Sequence, residues 1–394
     1  MAPFDTAGKV ITCKAAVAWK ANEPMVIEEI QVDPPKAGEV RVKITHNGLC
    51  HSDLYAMVGK MVSLPFPSIL GHEAAGIVES VGEGVSEFAP GDHVIAAVVP
   101  QCRACKYCAI PHTNLCEASG VRVGAGGFEL ADPHGLMLDG TSRSTCRGVV
   151  LRLGFGIGSF AQYTVIQEHQ LAKVSPEAPL GTICVLGCGI TTGYGAVCET
   201  CKVPPGSRVA VWGLGAVGLA AVMGAKASRA TQIIAIDPNP AKFEAARQFG
   251  ATECINPADC PQDTTFEDRL IEKFYGGFDF TIECSGHISS LRAAVATAHR
   301  GWGVACVVGL CLPTDLVNVS PAFFITGRTL KGSLVGGYKA KDALPGLVED
   351  YQAGKIQLDS FITHRFPLED VNAAVELLKA GKALRSVIAL HSEE

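Results

Sequence analysis

Arg208-Val209-Ala210-Val211-Trp212-Gly213-Leu214-Gly215-Ala216-Val217-Gly218 decides the fold. Its first five residues form an apolar run of the kind that sits in the middle of a parallel sheet. Three glycines follow at the first, third and sixth positions of a turn, and Leu219 to Ala227 then reads as an apolar helix. A second strand, Gln232 to Ile236, ends at Asp237. Glycines in this pattern are a weak signal alone, but here they follow a strand, open a helix and precede an acidic strand end. Gly213 permits the tight turn, Gly215 lets a pyrophosphate approach the backbone, and Gly218 lets helix and strand pack closely, with the helix N-terminus facing the negative charge. Asp237 is placed to accept hydrogen bonds from the adenosine ribose and to repel a 2′-phosphate, which selects NAD over NADP. The plainer alternative is a glycine turn in an α/β fold that binds no cofactor.

Downstream, the alternation continues through a strand at 278–284, a helix at 289–299 and strands at 303–309 and 329–335. About six parallel strands complete a doubly wound sheet. After Gly336-Gly337 come helices near 342–352 and 368–380 and a closing strand at 386–390, read as a return to the first domain. Upstream, short apolar strands broken by Pro24, Pro34, Pro35 and Gly38, the alternating Val40 to Ile44, and further β segments at 74–82 and 91–95 make the first third mainly β. Residues 120–150 read as a surface excursion with a turn at Asp132-Pro133-His134-Gly135, before a strand at 159–166. The fold class is α/β: a doubly wound parallel sheet (191–335) and a mainly β domain (1–190, rejoined by 336–394). A chain of 394 residues is long for one core. Its net charge of −6 gives no reason to expect nucleic acid or an acidic membrane as partner. Met1 to Lys20 lacks the layout of a signal peptide, so a cytoplasmic, reducing setting is expected, where 16 cysteines point to metal binding or chemistry more than to disulfides.

Those cysteines fall in two informative places. Cys102, Cys105, Cys108 and Cys116 can wrap one tetrahedral zinc with no position left for water, a structural site in a lobe at 100–118. Four unrelated reduced cysteines in one loop is the alternative. The second place is the stretch from Cys50 to Glu73, where Cys50 and His72 are two candidate ligands of an open zinc site, although each also fits an ordinary core position. Cys188, set between Gly187 and Gly189, is the candidate third ligand, but packing alone is also open because Cys184, Cys198 and Cys201 lie nearby without an evident task.

In this order, the Cys50 segment, Gly71-His72-Glu73, the four-cysteine lobe, Gly187-Cys188-Gly189 and the nucleotide turn resemble the zinc-dependent medium-chain alcohol dehydrogenases over nearly the whole chain. The resemblance implies a GroES-like catalytic domain beside the Rossmann sheet, and NAD with two zinc ions per subunit. It implies that Cys50, His72 and Cys188 bind the catalytic zinc, with Glu73 just behind it and Asp53 orienting His72. It places His51 and Arg385 at the NAD pyrophosphate, Lys242 with Asp237 at the ribose, and Thr192, Val217 and Val308 near the nicotinamide. Ser52 would take the proton of an alcohol whose acidity zinc has raised, and hydride would pass to the nicotinamide.

Two departures from the family shape the substrate expectation. Tyr55 stands near the outer end of the proton relay where many relatives carry histidine, so proton release is expected through water or external base. Val98 and Gly154 stand where small-alcohol members tend to have aromatic walls, with Phe155 one residue on, and Ser52 replaces the bulkier threonine. A roomy pocket for a bulky primary or secondary alcohol, or its aldehyde or ketone, is therefore expected. The glutathione-dependent formaldehyde branch is the nearest rival, but its arginine after the last lobe cysteine is replaced here by Glu117-Ala118-Ser119-Gly120. A non-catalytic NAD-binding descendant is the rival of another class. A homodimer, paired through a sheet edge near 303–312, is the family-based expectation, with no nucleic-acid or membrane partner.

Overall fold

The computed structural model describes residues 5–391 apart from 61–63, 120–122, 125–126, 129–134, 262 and 313. The chain divides into two compact units, Met1–Cys188 with Lys339–Glu394, and Gly189–Tyr338. The divisions thus fall two and three residues from the sequence-based boundaries after 190 and 335.

The Gly189–Tyr338 unit carries six parallel strands in the spatial order Glu253–Ile255, Gln232–Ile236, Arg208–Trp212, Phe280–Glu283, Val304–Val307, Thr329–Gly332. In sequence terms the order is 3-2-1-4-5-6, so the winding reverses between the first and fourth strands and opens a ligand crevice at their carboxyl ends. Val209, Ala210 and Val211 are fully buried, as a strand covered on both faces requires. Trp212, Ile234, Ile236, Leu270, Phe274 and Phe278 form the core on one face, each worth about 1.5–3 kcal/mol on burial. The first helix runs Ala216–Ala227, three residues earlier than its apolar run suggests, because Gly215 itself is the N-cap. The expected pairing edge is corrected here: Val304–Val307 is an interior strand, and the sheet's two edges are Glu253–Ile255 and Thr329–Gly332.

In the other unit, a seven-stranded sheet is built around the long strand Glu39–Leu49, which pairs with Glu73–Val81 on one side and Arg385–Ala389 on the other. A six-stranded sheet contains Ile11–Ala18 and Val26–Val32. The excursion expected at 120–150 agrees with the exposed 138–141 and 147–150 but is corrected between them: Ser144–Cys146 pairs with Val26–Val32, and Arg143 is buried with its guanidinium on Glu39 at 2.6 and 2.8 Å. A segment that looks polar is interior because its charge is matched there. Residues 132–134 of the expected turn lie outside the described residues. Among the described residues no single helix is long and apolar enough to cross a membrane.

Candidate active site

The Glu39–Leu49 strand ends at Cys50, which caps the short helix His51–Met57. Asp53, in that helix's first turn, ties two segments together. One carboxylate oxygen accepts from the Cys50 N–H at 3.0 Å, and the other accepts from the Gly71 N–H at 3.0 Å and faces His72 Nδ1 at 3.0 Å. With Nδ1 engaged, the fully buried His72 ring aims Nε2 inward, where it finds no hydrogen-bond partner among the described residues. A buried ring nitrogen without a partner is costly unless a ligand completes it. Cys188 reaches the same point because Gly187 passes close behind it; a Cβ there would lie 2.9 Å from the Ala96 carbonyl and 3.2 Å from Glu73 Cα. One donor atom from each of Cys50, His72, Glu73 and Cys188 lies within 4.8 Å of the others.

Glu73 is held by a residue far away in sequence. The register Ser386↔Leu49 brings Arg385 beside Cys50, and its guanidinium clamps Glu73 with two contacts of 2.9 Å while its Nη2 stands 3.6 Å from Cys50 Sγ. Gly48 makes room for this, since a Cβ there would sit 2.5 Å from Glu73 Oε2. Burial pushes the Glu73 carboxyl up to about 7, the Cys50 charge adding to the shift and Arg385 opposing it. The Cys50 thiol is held well below its usual range, chiefly by a hydrogen bond from Cys188, with Arg385 and His72 helping against burial. Burial opposes a charge on His72, yet Asp53 and Cys50 carry its affinity for a proton well above the usual value. A thiolate beside a proton-holding imidazole is a donor set that exchanges that proton for a metal ion. Two sulfurs and one imidazole nitrogen fit zinc with a fourth position open. Glu73, whose two oxygens are occupied by Arg385, balances charge behind them.

Ser52 Oγ lies 3.8 Å from Cys50 Sγ on the first turn of the His51 helix, and His51 is exposed beside it. The pocket expectation needs correction. Gly154 is packed against the Ile69–Leu70 backbone, 3.2 Å from where its Cβ would be, so it is not an open wall. Phe155, at a left-handed φ of 59°, instead turns its ring onto His72 with centroids 4.2 Å apart. Its carbonyl is fixed by Gln170 Nε2 at 3.0 Å. Val98 is buried, just beyond the strand His93–Ala96.

The lobe assembles as its spacing requires. Cys102, Cys105, Cys108 and Cys116 bring their sulfurs within 4.8 Å of one another. Backbone N–H groups of Ala104, Cys105, Cys108, Cys116's neighbour Glu117 and Cys102 point at these sulfurs at 3.3–3.4 Å. Against the upward push of burial, the Glu117 and Cys108 N–H groups pull Cys105 down to about 6. Sulfurs receiving N–H donors are stabilised as thiolates, the form a closed zinc site uses.

In the nucleotide unit, Gly213 has φ 88° and Gly218 lies so close that a Cβ would be 1.8 Å from the Gly213 carbonyl. Nothing lies within 4 Å of a Cβ at Gly215, which leaves the room a pyrophosphate needs. Asp237 is buried, accepts from the Leu214 N–H at 2.8 Å, and pairs with Lys242 at 2.9 Å. Gly193, next in sequence to Thr192, packs against the Val217 carbonyl with no space for a side chain. The Val308 N–H is bound to the Glu283 carbonyl at 2.9 Å.

These parts define a zinc-binding, nicotinamide-dependent dehydrogenase built from a β-rich catalytic unit and a doubly wound nucleotide unit. Residues 36–176 match the family described as Alcohol dehydrogenase GroES-like domain, and residues 216–351 match Zinc-binding dehydrogenase. The chain is 52% identical over 386 residues to Alcohol dehydrogenase class-3 of Caenorhabditis elegans, covering 98% of each chain. It is 49% identical over 383 residues to Alcohol dehydrogenase class-3 of Myxine glutinosa, covering 97% of this chain and 99% of the other. The crystal structure of benzyl alcohol dehydrogenase from Acinetobacter calcoaceticus matches with a TM-score of 0.86 at 29% identity, over 97% of this chain and all of that one. The chain belongs to the zinc-dependent medium-chain alcohol dehydrogenases and is an NAD-dependent zinc oxidoreductase.

Proposed function

We propose that the enzyme interconverts a bulky primary or secondary alcohol and its carbonyl product, using NAD. The observation carrying this reading is what stands beside the metal donors: one aromatic ring, Phe155, laid on His72, and a small hydroxyl at Ser52. A flat ring is a surface for an aromatic or alicyclic substrate, and the likeness to benzyl alcohol dehydrogenase supports it.

Cys50, His72 and Cys188 would hold the catalytic zinc, which supplies Lewis acidity that makes an alcohol hydroxyl acidic. Asp53 fixes the His72 ring, and Arg385 keeps Glu73 from presenting an unbalanced charge behind the donors. Ser52 Oγ would accept the hydroxyl proton as it hands its own on toward solvent. Arg385 is engaged by Glu73, so any contact with the pyrophosphate would be shared with that clamp, while His51 is free of burial and suited to it. Thr192, Val217 and Val308 orient the nicotinamide, and Asp237 with Lys242 receives the ribose.

A second reading has specific support: the class-3 relatives at about half identity favour the adduct of glutathione and formaldehyde. Against it, Glu117, Ala118 and Ser119 follow Cys116, offering a carboxylate where a guanidinium would grip glutathione. The test is NADH formation from ethanol, a benzylic or cyclic secondary alcohol, and the glutathione adduct, each with and without a zinc chelator. The expected outcome is chelator-sensitive turnover with the highest kcat/KM on the bulky alcohol. Preference for the glutathione adduct would replace the first reading by the second, and preference for ethanol would remove both.

A further inference from the structure

Glu283 ends the fourth strand of the nucleotide sheet, beside the point where the winding reverses, and its side chain is fully buried. Its carboxylate works on neutral donors of the turn that follows. Oε1 accepts from the Ser285 N–H at 2.7 Å, from the Ser285 hydroxyl, and from the Gly286 N–H at 3.1 Å. The carbonyl of the same residue accepts from Val308 and Gly309 N–H, each at 2.9 Å.

Three turns meet on this residue. Ser285 fills the space behind Gly213, where a Cβ would come within 2.8–2.9 Å of Ser285 Cβ, Cα and N. Gly309 packs onto Gly286 and Glu283 Oε2, which a Cβ would approach to 2.2 and 2.7 Å. The Cys284 N–H closes the array onto the Trp212 carbonyl at 2.8 Å, one residue before the glycine turn. The loops at the carboxyl ends of the first, fourth and fifth strands therefore meet at Glu283, whose side chain ties down the Ser285–Gly286 turn and whose carbonyl holds Val308 and Gly309. We propose that Glu283 is a positioning residue for NAD: it holds the Ser285–Gly286 turn against Gly213 and Gly309, so that the pyrophosphate-binding turn keeps its shape before the cofactor arrives.

The energetics favour this over a packing role. A buried carboxylate facing only neutral donors costs more than an apolar side chain of the same size, and burial does push this carboxyl up against the pull of its donors. A fully satisfied polar network does, however, specify a single loop arrangement, and loop shape is what a phosphate cradle made of backbone N–H groups depends on.

The test is a fluorescence titration of the zinc-loaded, full-length protein with NADH and no alcohol, which keeps the result independent of substrate identity. Glu283→Leu, which keeps the bulk and removes every acceptor, is expected to weaken NADH binding about tenfold and Ser285→Ala about threefold. KM for NAD should rise in step, while kcat at saturating NAD and KM for the alcohol stay within twofold. A residue that merely stabilises the fold would lower the thermal midpoint and leave NADH affinity alone. NADH affinity within twofold of wild type in either folded variant would overturn the proposal. Should Glu283→Leu not fold, Ser285→Ala, which deletes a single hydroxyl, decides the matter on the same criterion. Failure of the wild-type chain itself to bind NADH would overturn both NAD use and this role.

Discussion

Arg41 and Glu79 show how much one pair of side chains can carry in the catalytic unit. Both are fully buried, joined by contacts of 2.6 and 3.1 Å, and Arg41 also donates to the carbonyls of Thr6 and Lys9. Burial alone would raise the Glu79 carboxyl, but hydrogen bonds from Arg41, Ser80 and Thr6 bring it below its usual range. Removing one partner leaves the other charge buried and unbalanced, at a cost of about 3–5 kcal/mol. Glu79→Gln is expected to lose stability of that order in urea melts at pH 7. The sign with pH follows from the depressed value. In the unfolded chain Glu79 takes up a proton near pH 4.3, about the ordinary value, whereas the folded protein resists it. The contribution is therefore present above that pH and is lost as pH falls through the lower folded value. Wild type and Glu79→Gln should converge in urea midpoint below about pH 4; a gap as wide at pH 3 as at pH 7 would sink this account.

Among the elements, the four-cysteine lobe is the one whose stability comes least from apolar burial. Ile110 is exposed, and the short helix Lys106–Ala109 has no buried residue. What holds the lobe to the rest of its unit is polar: Arg103 bridges Glu87 and Asp342 at 3.0 and 2.8 Å, Gln101 reaches Asp342, and Lys339 donates to the Cys108 carbonyl. Metal binding is then the main source of order within it. Cys105→Ser should lower the zinc content from two ions per chain to one and reduce the thermal midpoint, with NADH affinity unchanged. Two zinc ions retained per chain, measured by atomic emission, would contradict the closed site. The lobe and the glycine turn were legible in the sequence because short-range spacing determines them. Three features were not. Arg385 meets Glu73 across 312 residues, through a strand register that no local pattern encodes. The choice between Gly154 and Phe155 stayed open in the sequence, and Phe155 faces His72 because of a left-handed backbone flanked by Gly154 and Gly156. Arg143 is interior only because Glu39, at the start of a strand in the other sheet of the unit, meets its charge. The doublet of glycines around Phe155 was the one available hint, since such flanks permit an unusual turn.

At the scale of the whole molecule, the two units differ in how the chain builds them. The nucleotide unit is one continuous segment, Gly189–Tyr338, with its six-stranded sheet complete inside it. The catalytic unit is discontinuous and needs the last residues: Arg385–Ala389 lies between Glu39–Leu49 and Ile362–Pro367, and it alone delivers the guanidinium that balances Glu73. A segment with its own core can fold by itself, so residues 189–338 alone should unfold cooperatively and bind NADH. A chain ending at Lys382 should lose its catalytic zinc, because Glu73 is left as a buried carboxylate without its cation beside the Cys50 thiolate, while Cys102, Cys105, Cys108 and Cys116 keep theirs. The expected readings are one zinc ion per chain, NADH binding that persists but is weakened by the loss of Arg385, and no alcohol turnover. If the shortened chain held two zinc ions and remained active, the Arg385 clamp would be dispensable. If it lost NADH binding together with zinc, the nucleotide unit would depend on the catalytic one for its fold, and the test on residues 189–338 would fail with it.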